Sequence, residues 1–365
     1  MPAANASEKA AVPPPSLGYW AAVWRKFRRK KLPTAALIYV VTIGVLAFLS
    51  PLIVGAKPIV CKYKGRLYFP CVGYYRPNWE NPIFVADKFR NRYYESLKTK
   101  DPNSWAIWPL IYQDPLRRIR ADEWPGQPEN PKGKDGDPNR YNLMGTTVTG
   151  SDVFAQMLHG TQSALLVGFV SMGIASCIGI TLGALAGYLG GWADTLLSRL
   201  TEIVMCIPTL VLILFVVSLI DKPTIWHIMV IIGVTGWTGI SRLARAEFLK
   251  LRNLEYVTAA RALGVSELRI MFRHILPNAL APVLVPITFG IASAILLENA
   301  LRFLGLGDPS SASWGKLLNE GQRNLEMWWL IAFPGAAIFL TVMAYNLIGE
   351  GLQEATDPRL QEGAK

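Results

Sequence analysis

Residues able to do chemistry are few in this sequence, and their spacing does not build a catalytic or metal site. His159, His227 and His274 are widely separated, and no His-Glu-x-x-His pattern that could hold zinc is present. Neither Gly133-Lys134 nor Gly315-Lys316 has the context of a phosphate-binding loop. We therefore expect a chain with no catalytic residue, no metal and no cofactor of its own.

Two of the four cysteines flank a predicted β-hairpin. Cys61 and Cys71 stand on either side of a turn at Lys64-Gly65, in a segment that we expect to face an oxidising compartment. A disulfide between them is favoured over two free thiols. Cys177 and Cys206 fall within long apolar runs and are interpreted as small buried hydrophobic side chains.

Two acidic side chains, Glu202 and Glu298, lie near the ends of long apolar runs. A solvated or interfacial role is favoured over a proton relay, because a relay places ionisable groups inside the membrane. An ion-coupled secondary transporter would need such groups near the membrane midplane, often together with internal repeats, and neither is convincing here. This class of protein is kept as an alternative.

The elements that must position any site are membrane-spanning helices. Of the 365 residues, 51% are hydrophobic and 17% charged, and the apolar residues cluster too strongly for an ordinary soluble fold. A helix needs about 20 mainly apolar residues to cross a bilayer. The predicted fold class is therefore an all-α membrane protein with six spans. The six apolar runs that we predict to span the membrane are Thr34 to Val54, Thr161 to Leu189, Ile203 to Ile220, Ile225 to Ile240, Ala279 to Leu297 and Trp328 to Gly349.

Positive charge predicts the orientation of these spans. The net charge is +11, but Lys and Arg flank the apolar runs and do not form the basic face typical of nucleic-acid binding. Seven of them precede the first run and seven more lie in residues 241–277, so both termini are expected in the cytoplasm. The first run is also longer than the apolar core of a signal peptide, about 7–15 residues, which favours a membrane anchor over a cleaved signal.

The apolar runs divide the chain into five parts. The first part, residues 1–33, ends in a basic, aromatic helix that anionic membrane lipid would attract. The third part, residues 55–155, holds 11 of the 25 prolines, the short hairpin and a loose loop predicted from Glu123 to Asn139. The parts are the arm and surface helix (1–33), the first span (34–54), an extracytoplasmic insert (55–155), the membrane core (156–350, with two short helices at 255–275) and a cytoplasmic tail (351–365).

Small residues predict one close helix contact. Gly179, Gly183 and Gly187 recur every four residues, so they line one helix face and allow another backbone to approach closely. Whether that neighbour belongs to this chain or to another subunit is left open. Prolines inside other runs favour kinks, at Pro208, Pro282, Pro286 and Pro334.

The most informative segment joins the fourth and fifth runs. Residues 255–264 predict a short helix ended by Gly264, which tolerates a left-handed cap. Ser266 can cap a second helix, and Pro277 is expected to end that helix before the fifth span. Its apolar residues, at helical spacing, are Leu268, Met271, Phe272 and Ile275. Residues 255–278 are termed the knuckle.

The knuckle resembles the cytoplasmic loop of inner-membrane permeases of bacterial ATP-binding-cassette (ABC) importers. The family pattern is Glu-Ala-Ala, three residues, Gly, and a distal Ile-x-Leu-Pro-like end, and this chain has Thr258 at the Glu position. The resemblance implies that the knuckle docks in a cleft of an ATPase subunit. The residues expected to couple to the ATPase are Glu255, Thr258, Ala259, Ala260, Arg261, Gly264, Arg273 and Pro277.

Further stretches resemble the second permease subunit of dipeptide and oligopeptide importers. In its block Gly145-Thr146 and Gly150–Val153, Thr147 and Ser151 replace charged residues of the family. The insert is more similar to permeases of the broad-peptide and microcin C type. The other matching stretches are Leu301–Gly307, Ser313-Trp314-Gly315, Phe333–Ile338, Asn346–Leu352 and Asp357-Pro358-Arg359.

The resemblance implies the type I ABC importer permease fold, in a bacterial inner membrane. Its expected partners are a second permease, two ATPase domains that use ATP and Mg, and an extracytoplasmic peptide-binding protein. A membrane-anchored enzyme with the insert as its active domain is a less favoured alternative, because the insert offers no nucleophile, base or metal constellation.

Overall fold

The computed structural model describes residues 19–75, 80–89, 92–308 and 311–356, so Asp357-Pro358-Arg359 lies outside the described residues. The described chain is mainly helical. Its three short strands are β1 (Val60–Tyr63), β2 (Arg66–Tyr68) and β3 (Trp105–Ile107). Its helices are α1 (Tyr19–Arg29), α2 (Lys31–Phe48), α3 (Ser50–Ile53), α4 (Pro82–Ala86), α5 (Tyr93–Lys100), α6 (Val153–Leu189), α7 (Gly191–Met205), α8 (Thr209–Ser218), α9 (Ile225–Thr235), α10 (Thr238–Leu251), α11 (Glu255–Ala262), α12 (Glu267–Arg269), α13 (Leu276–Phe303), α14 (Trp314–Arg323) and α15 (Trp329–Thr356).

Four helices are long and apolar enough to cross a membrane, and two bent pairs raise that number to as many as six. The long ones are α2, α6, α15 and the helix that runs from Glu267 to Phe303. The prediction of an all-α membrane fold is confirmed. The third predicted span, however, is not one helix: α7 and α8 meet at 78°, because Pro208 precedes α8 and has no N–H to continue the helix. Helices α9 and α10 meet at 41°.

The fifth span begins earlier than the sequence predicts. The expectation that Pro277 ends the second knuckle helix is wrong, because the chain stays helical from Glu267 to Phe303. A π turn at Ile270–Ile275 joins α12 to α13, and in it the Leu276 N–H donates to the Met271 carbonyl. The wider turn accommodates Pro277, which has no N–H to donate, at the start of α13.

Helix α6 lies at the centre of the bundle and packs against α2, α7, α9, α10 and α13. Its first turn lies at the end of the insert, and its last turn contacts the knuckle through Tyr188. A helix of 37 residues is about 55 Å long, so these two regions lie at opposite ends of the bundle. They are termed the insert end and the knuckle end.

The glycine face of α6 packs against α10 of the same chain. A Cβ atom at Gly179 would lie 2.7 Å from the Trp237 carbonyl oxygen, and one at Gly183 would lie 2.4 Å from that of Ser241. At Gly187 the nearest atom is the Arg245 carbonyl oxygen, at 2.5 Å. Only hydrogen side chains fit this contact, so the partner that the sequence left open is α10.

The insert is built on a three-stranded antiparallel sheet of order β2-β1-β3. Its hairpin turns at Lys64 and Gly65, both with positive φ, as predicted. One face of the sheet, including Cys61 and Tyr63, packs on the aromatic rings of Phe84, Phe89 and Tyr93. This aromatic cluster gives the insert its own hydrophobic core.

The loop predicted to be loose, Glu123 to Asn139, is anchored at several points. Buried Glu123 pairs with Arg117 at 2.8 Å. Buried Asn130 donates to Gln113 Oε1 at 2.8 Å and to the Gly150 carbonyl at 3.2 Å. Buried polar groups need such partners, and these bonds hold the loop without regular secondary structure.

The structure does not form the predicted disulfide. Cys61 and Cys71 are separate buried thiols: Cys61 lies in β1 under the aromatic cluster, and Cys71 Sγ contacts the Ile59 carbonyl oxygen at 3.4 Å. The interpretation of Cys177 and Cys206 as buried is also wrong, because both are exposed on the isolated chain. Their helices turn these positions away from the core, where apolar thiols can face lipid or another subunit.

Helix α1 packs along the end of α15. Val23 and Phe27 are buried against Ala355, while Trp20 and Trp24 remain exposed. Basic residues gather in its last turn, at Lys26, Arg28 and Arg29. An amphipathic helix with exposed Trp and basic residues suits a membrane surface, as the sequence predicts.

The α6–α10 contact makes Gly183→Ala destabilising. The added methyl group would overlap the Ser241 carbonyl, and overpacking of this kind costs about 1–3 kcal/mol. We expect a lower melting temperature in detergent. The matched control is Gly173→Ala on the same helix, where a Cβ meets nothing within 4 Å, and it should melt like the wild type. Equal melting of the two variants would contradict this packing.

Both insert cysteines should be present as thiols that react slowly until the protein unfolds. Burial raises the pKa of Cys61 to about 12 and also raises the pKa of Cys71, so little thiolate forms in the folded protein at pH 8. Iodoacetamide should therefore label both residues in denatured, unreduced protein and label them slowly in folded protein. A non-reduced digest containing a peptide that links Cys61 to Cys71 would refute this prediction.

Candidate functional site

The first knuckle helix, α11, ends in a two-bond cap centred on Gly264. The Val265 N–H donates to the Ala260 carbonyl at 3.1 Å, and the Gly264 N–H donates to the Arg261 carbonyl at 3.0 Å. This is the Schellman arrangement, which requires a left-handed residue after the helix. Gly264 has a φ of +74°, and a Cβ at this position would meet nothing within 4 Å. Glycine is therefore required here by the backbone angle and not by crowding.

The second half of the knuckle separates its apolar residues into two faces. Met271 and Ile275 are buried against Phe248 in one hydrophobic cluster. Leu268 and Phe272 are exposed on the other side. The widened π turn begins at Ile270, after Ser266, which occupies the N-cap position without a side-chain cap bond.

Both parts of the knuckle thus expose large apolar side chains. Leu263, which precedes Gly264, is 84% exposed, and Leu268 and Phe272 continue the same kind of surface. Leaving three large apolar side chains in solvent is unfavourable, so such a face is typical of a surface that binds a partner.

Polar contacts tie the knuckle to the end of α6. Tyr188 donates to Glu267, and Arg261 donates to the Tyr188 hydroxyl at 3.2 Å. Arg261 also pairs with Glu267 at 3.2 Å. These three residues are termed the clamp. Sequence reasoning included Arg261 but missed Tyr188 and Glu267, whose only signal was proximity to the last glycine of α6 and to Ser266.

A further cation fixes the chain just before α11. Arg252 donates to the Gly187 carbonyl at 3.0 Å and to the Tyr188 carbonyl at 3.2 Å. These carbonyls belong to the last turn of α6, where positive charge is favourable. Both sides of α11 are therefore attached to the same helix end.

The other predicted coupling residues lie on the knuckle surface. Glu255 begins α11, and Thr258 Oγ1 donates to its carbonyl at 2.8 Å. Ala259 is exposed and Ala260 is half-buried. In the part of the chain that the structure describes, the side chains of Glu255 and Arg273 have no hydrogen-bond or ion-pair partner within the chain. The remaining member, Pro277, is exposed at the start of α13.

A buried ion pair organises the insert end. Glu298 was expected to be solvated or interfacial, and this is wrong: it is buried and pairs with Arg302 at 3.2 Å. Arg302 also donates to Ser311 Oγ at 2.8 Å, which anchors the loop after α13. The pairing keeps Arg302 in a buried position that a single charge would not occupy. Glu202, in contrast, is exposed and pairs with Arg199 at 2.6 Å.

Tryptophans attach the last helices to the start of α6. Trp314 Nε1 donates to the Met157 carbonyl at 3.0 Å, and Trp329 Nε1 donates to the Thr146 carbonyl at 2.9 Å. Nearby, His159 is buried with Nε2 3.0 Å from the Val54 carbonyl oxygen, a structural contact. The described residues contain no group of three His, Cys, Asp or Glu side chains that could hold a metal ion.

Two regions of the chain match known families. Residues 179–362 match the family described as binding-protein-dependent transport system inner membrane component. Residues 18–60 match the N-terminal transmembrane domain of oligopeptide transport permease C.

Named permease proteins resemble most of the chain. The inner membrane ABC transporter permease protein YejE of Escherichia coli is 35% identical over 341 residues, which cover 92% of this chain and 96% of the relative. The dipeptide transport system permease protein DppC of Alkalihalophilus pseudofirmus is 37% identical over 64% of this chain and 77% of the relative. A chain of a solved inward-facing structure of the MetNI methionine ABC transporter is similar to this chain, with 16% identity and a TM-score of 0.41. The comparison covers 54% of this chain and 96% of the MetNI chain.

The cap at Gly264 leads to a test of the local backbone. Gly264→Val should destabilise the end of α11, because a left-handed conformation costs a non-glycine residue about 1–2 kcal/mol. Hydrogen exchange of amides in residues 257–265 should become about tenfold faster. Gly264→Asn is the matched control, since Asn tolerates this conformation and the space is open. Equal exchange in the two variants would exclude a cap that depends on φ.

Proposed function

The chain belongs to the family of binding-protein-dependent transport system inner membrane components, and from this premise we propose that it forms half of the translocation pathway of an ATP-driven peptide importer. As a member of this family it is a permease subunit of an ABC transporter. The proposed substrate class follows the relatives, one of which is named for dipeptide transport.

The exposed face of the knuckle is the observation that carries the proposal. Leu263, Leu268 and Phe272 present an apolar surface on a capped, clamped element at one end of the bundle. Such a surface suits a cleft in a separate ATPase subunit, where ATP and Mg would be bound. Glu255 and Arg273, which have no described partner in this chain, would supply polar contacts at its edge.

The proposed arrangement places the knuckle and both termini in the cytoplasm. The supporting observation is the excess of Lys and Arg before the first span and in residues 241–277. Residues 55–155 would then face the opposite compartment, together with the extracytoplasmic peptide-binding protein. A second, homologous permease would complete the pathway.

Force would pass from the knuckle to the bundle by two routes. The clamp connects α11 to the end of α6, so movement of α11 pulls on the central helix. The continuous helix from Glu267 to Phe303 connects the knuckle to the buried Arg302 at the insert end. Closure of the ATPases would thus change both ends of the pathway together. The π turn lies on the second route, where a widened turn can change register at low cost.

No observation supports the ion-coupled alternative. Glu298, the buried acid near the end of a span, is compensated by Arg302 and by the Ser313 hydroxyl at 3.3 Å. A carboxylate held in this way stabilises a loop and is poorly placed to exchange protons. The enzyme alternative likewise gains nothing from the insert, which is built on an aromatic core and on buried polar residues that anchor its loops.

Leu263→Asp should weaken binding of the ATPase subunits. The new carboxylate would have to lose its water in the cleft, and burial of an unpaired charge is costly. We expect about tenfold less ATPase to co-purify with the permease at equal membrane abundance, and a corresponding loss of peptide-stimulated ATP hydrolysis. Because Leu263 is 84% exposed, the fold itself should be unaffected.

The matched control is Leu110→Asp in the insert. Leu110 is 85% exposed, so the chemical change is the same at a site far from the knuckle. This variant should retain the ATPases. If both variants kept them, or if both lost them equally, the knuckle would not be the docking surface.

A further inference from the structure

A groove of about 760 Å³ lies between α7 and α10, on the knuckle side of the bend that separates α7 from α8. One wall is a face of α7 with Ser198, Thr201, Glu202 and Met205 at helical spacing. The other wall is a face of α10 that includes Gly239 and Arg242, and Ala186 of α6 also lines the groove. Its volume falls in the range of sites that bind small molecules or short peptides.

The charges in this groove are unequally compensated. Arg245 is held by Asp194 in a two-bond ion pair, and Glu202 is held by Arg199. Arg242 is exposed, and among the described residues its polar contact is with Met205 Sδ, at 3.8 Å. A sulfur atom is a weak acceptor and does not neutralise a guanidinium. The groove therefore offers one cation that is free to bind an anion.

We propose that this groove is a transit site for peptides and that Arg242 binds the C-terminal carboxylate of the peptide. The inference rests on the proposed function, because it identifies the knuckle end as the side on which peptides leave. A guanidinium matches a carboxylate with two parallel hydrogen bonds, which gives both strength and orientation. The mixed lining of small, hydroxyl and apolar side chains tolerates varied peptide side chains, so the carboxylate is the recognised feature.

The position of Arg242 favours a ligand over a permanent structural role. Its neighbour on the next turn, Arg245, is the residue that joins α10 to α7, through Asp194. Removal of Arg242 therefore leaves the contact between the two walls intact. In a membrane protein, an ionisable group that lines a cavity marks a candidate substrate path.

The test compares trialanine with trialanine amide, which lacks the negative charge of the C-terminal carboxylate. Initial ATP-driven uptake of each is measured in proteoliposomes of neutral lipid that contain the complete transporter, with saturating binding protein. Lipid without net negative charge removes anionic headgroups as competitors for Arg242. Because the binding protein is the same throughout, a change in the acid-to-amide uptake ratio between variants reports on the permease.

Arg242→Gln should lower the acid-to-amide uptake ratio about tenfold, the scale of one charged hydrogen-bonded contact. Arg242→Lys should restore most of the ratio, since the charge remains. Lys250→Gln is the matched control: Lys250 lies on the same helix, is exposed and does not line the groove, so its ratio should equal that of the wild type.

An unchanged ratio in Arg242→Gln, or equal loss of both peptides, would overturn the transit site while leaving the importer assignment in place. Failure of the wild type to take up either peptide would instead contradict the proposed function. Access is checked separately with Ser198→Cys in a background whose native cysteines are serine. If the cysteine introduced at position 198 is labelled from the knuckle side and trialanine slows that labelling, the result supports the site. If it is not labelled, as expected when the second permease fills the groove, the result overturns the site.

Discussion

Close contact between α6 and α10 is the constraint on which the rest of the structure depends. Three glycines bring the two backbones together over more than two turns, and the carbonyls of α10 occupy the space where side chains would stand. The direction of α10 is thereby set relative to the central helix. Since α10 leads directly into the knuckle, this contact also determines where the knuckle begins, and Arg252 secures that point on the last turn of α6.

Three sets of contacts attach the knuckle to the rest of the chain, and its remaining surface is exposed. Its buried residues join a small cluster with Phe248, its polar clamp reaches Tyr188, and its second helix continues into a span through a π turn. A surface held in this way cannot shift without moving α6 or α13. This attachment supports the coupling role proposed for the knuckle, because energy used in local rearrangement would not reach the pathway.

The ion pairs at the two ends of the bundle differ in how deeply they are buried. At the insert end, Arg302 and Glu298 are both buried and compensate each other while they hold the loop after α13. At the knuckle end, ion pairs are partly exposed and connect neighbouring helices, as Asp194 and Arg245 connect α7 and α10. Arg242 differs from Arg245, its neighbour on α10, because no carboxylate among the described residues compensates it while Asp194 compensates Arg245.

The sequence by itself determined the features that arise from near neighbours along a helix. Apolar runs of sufficient length, glycines four residues apart and the left-handed stop at Gly264 all depend on periodicity or on a single backbone angle, and each could be predicted locally. The tertiary structure alone decided that α10 is the partner of the glycines, that Tyr188 joins Glu267 across 79 positions, and that the helix continues through Pro277. It also left Cys61 and Cys71 unbonded and anchored the loop at Asn130. These outcomes depend on contacts between distant segments, and the spacing of residues along the chain carries no direct record of which distant segments meet.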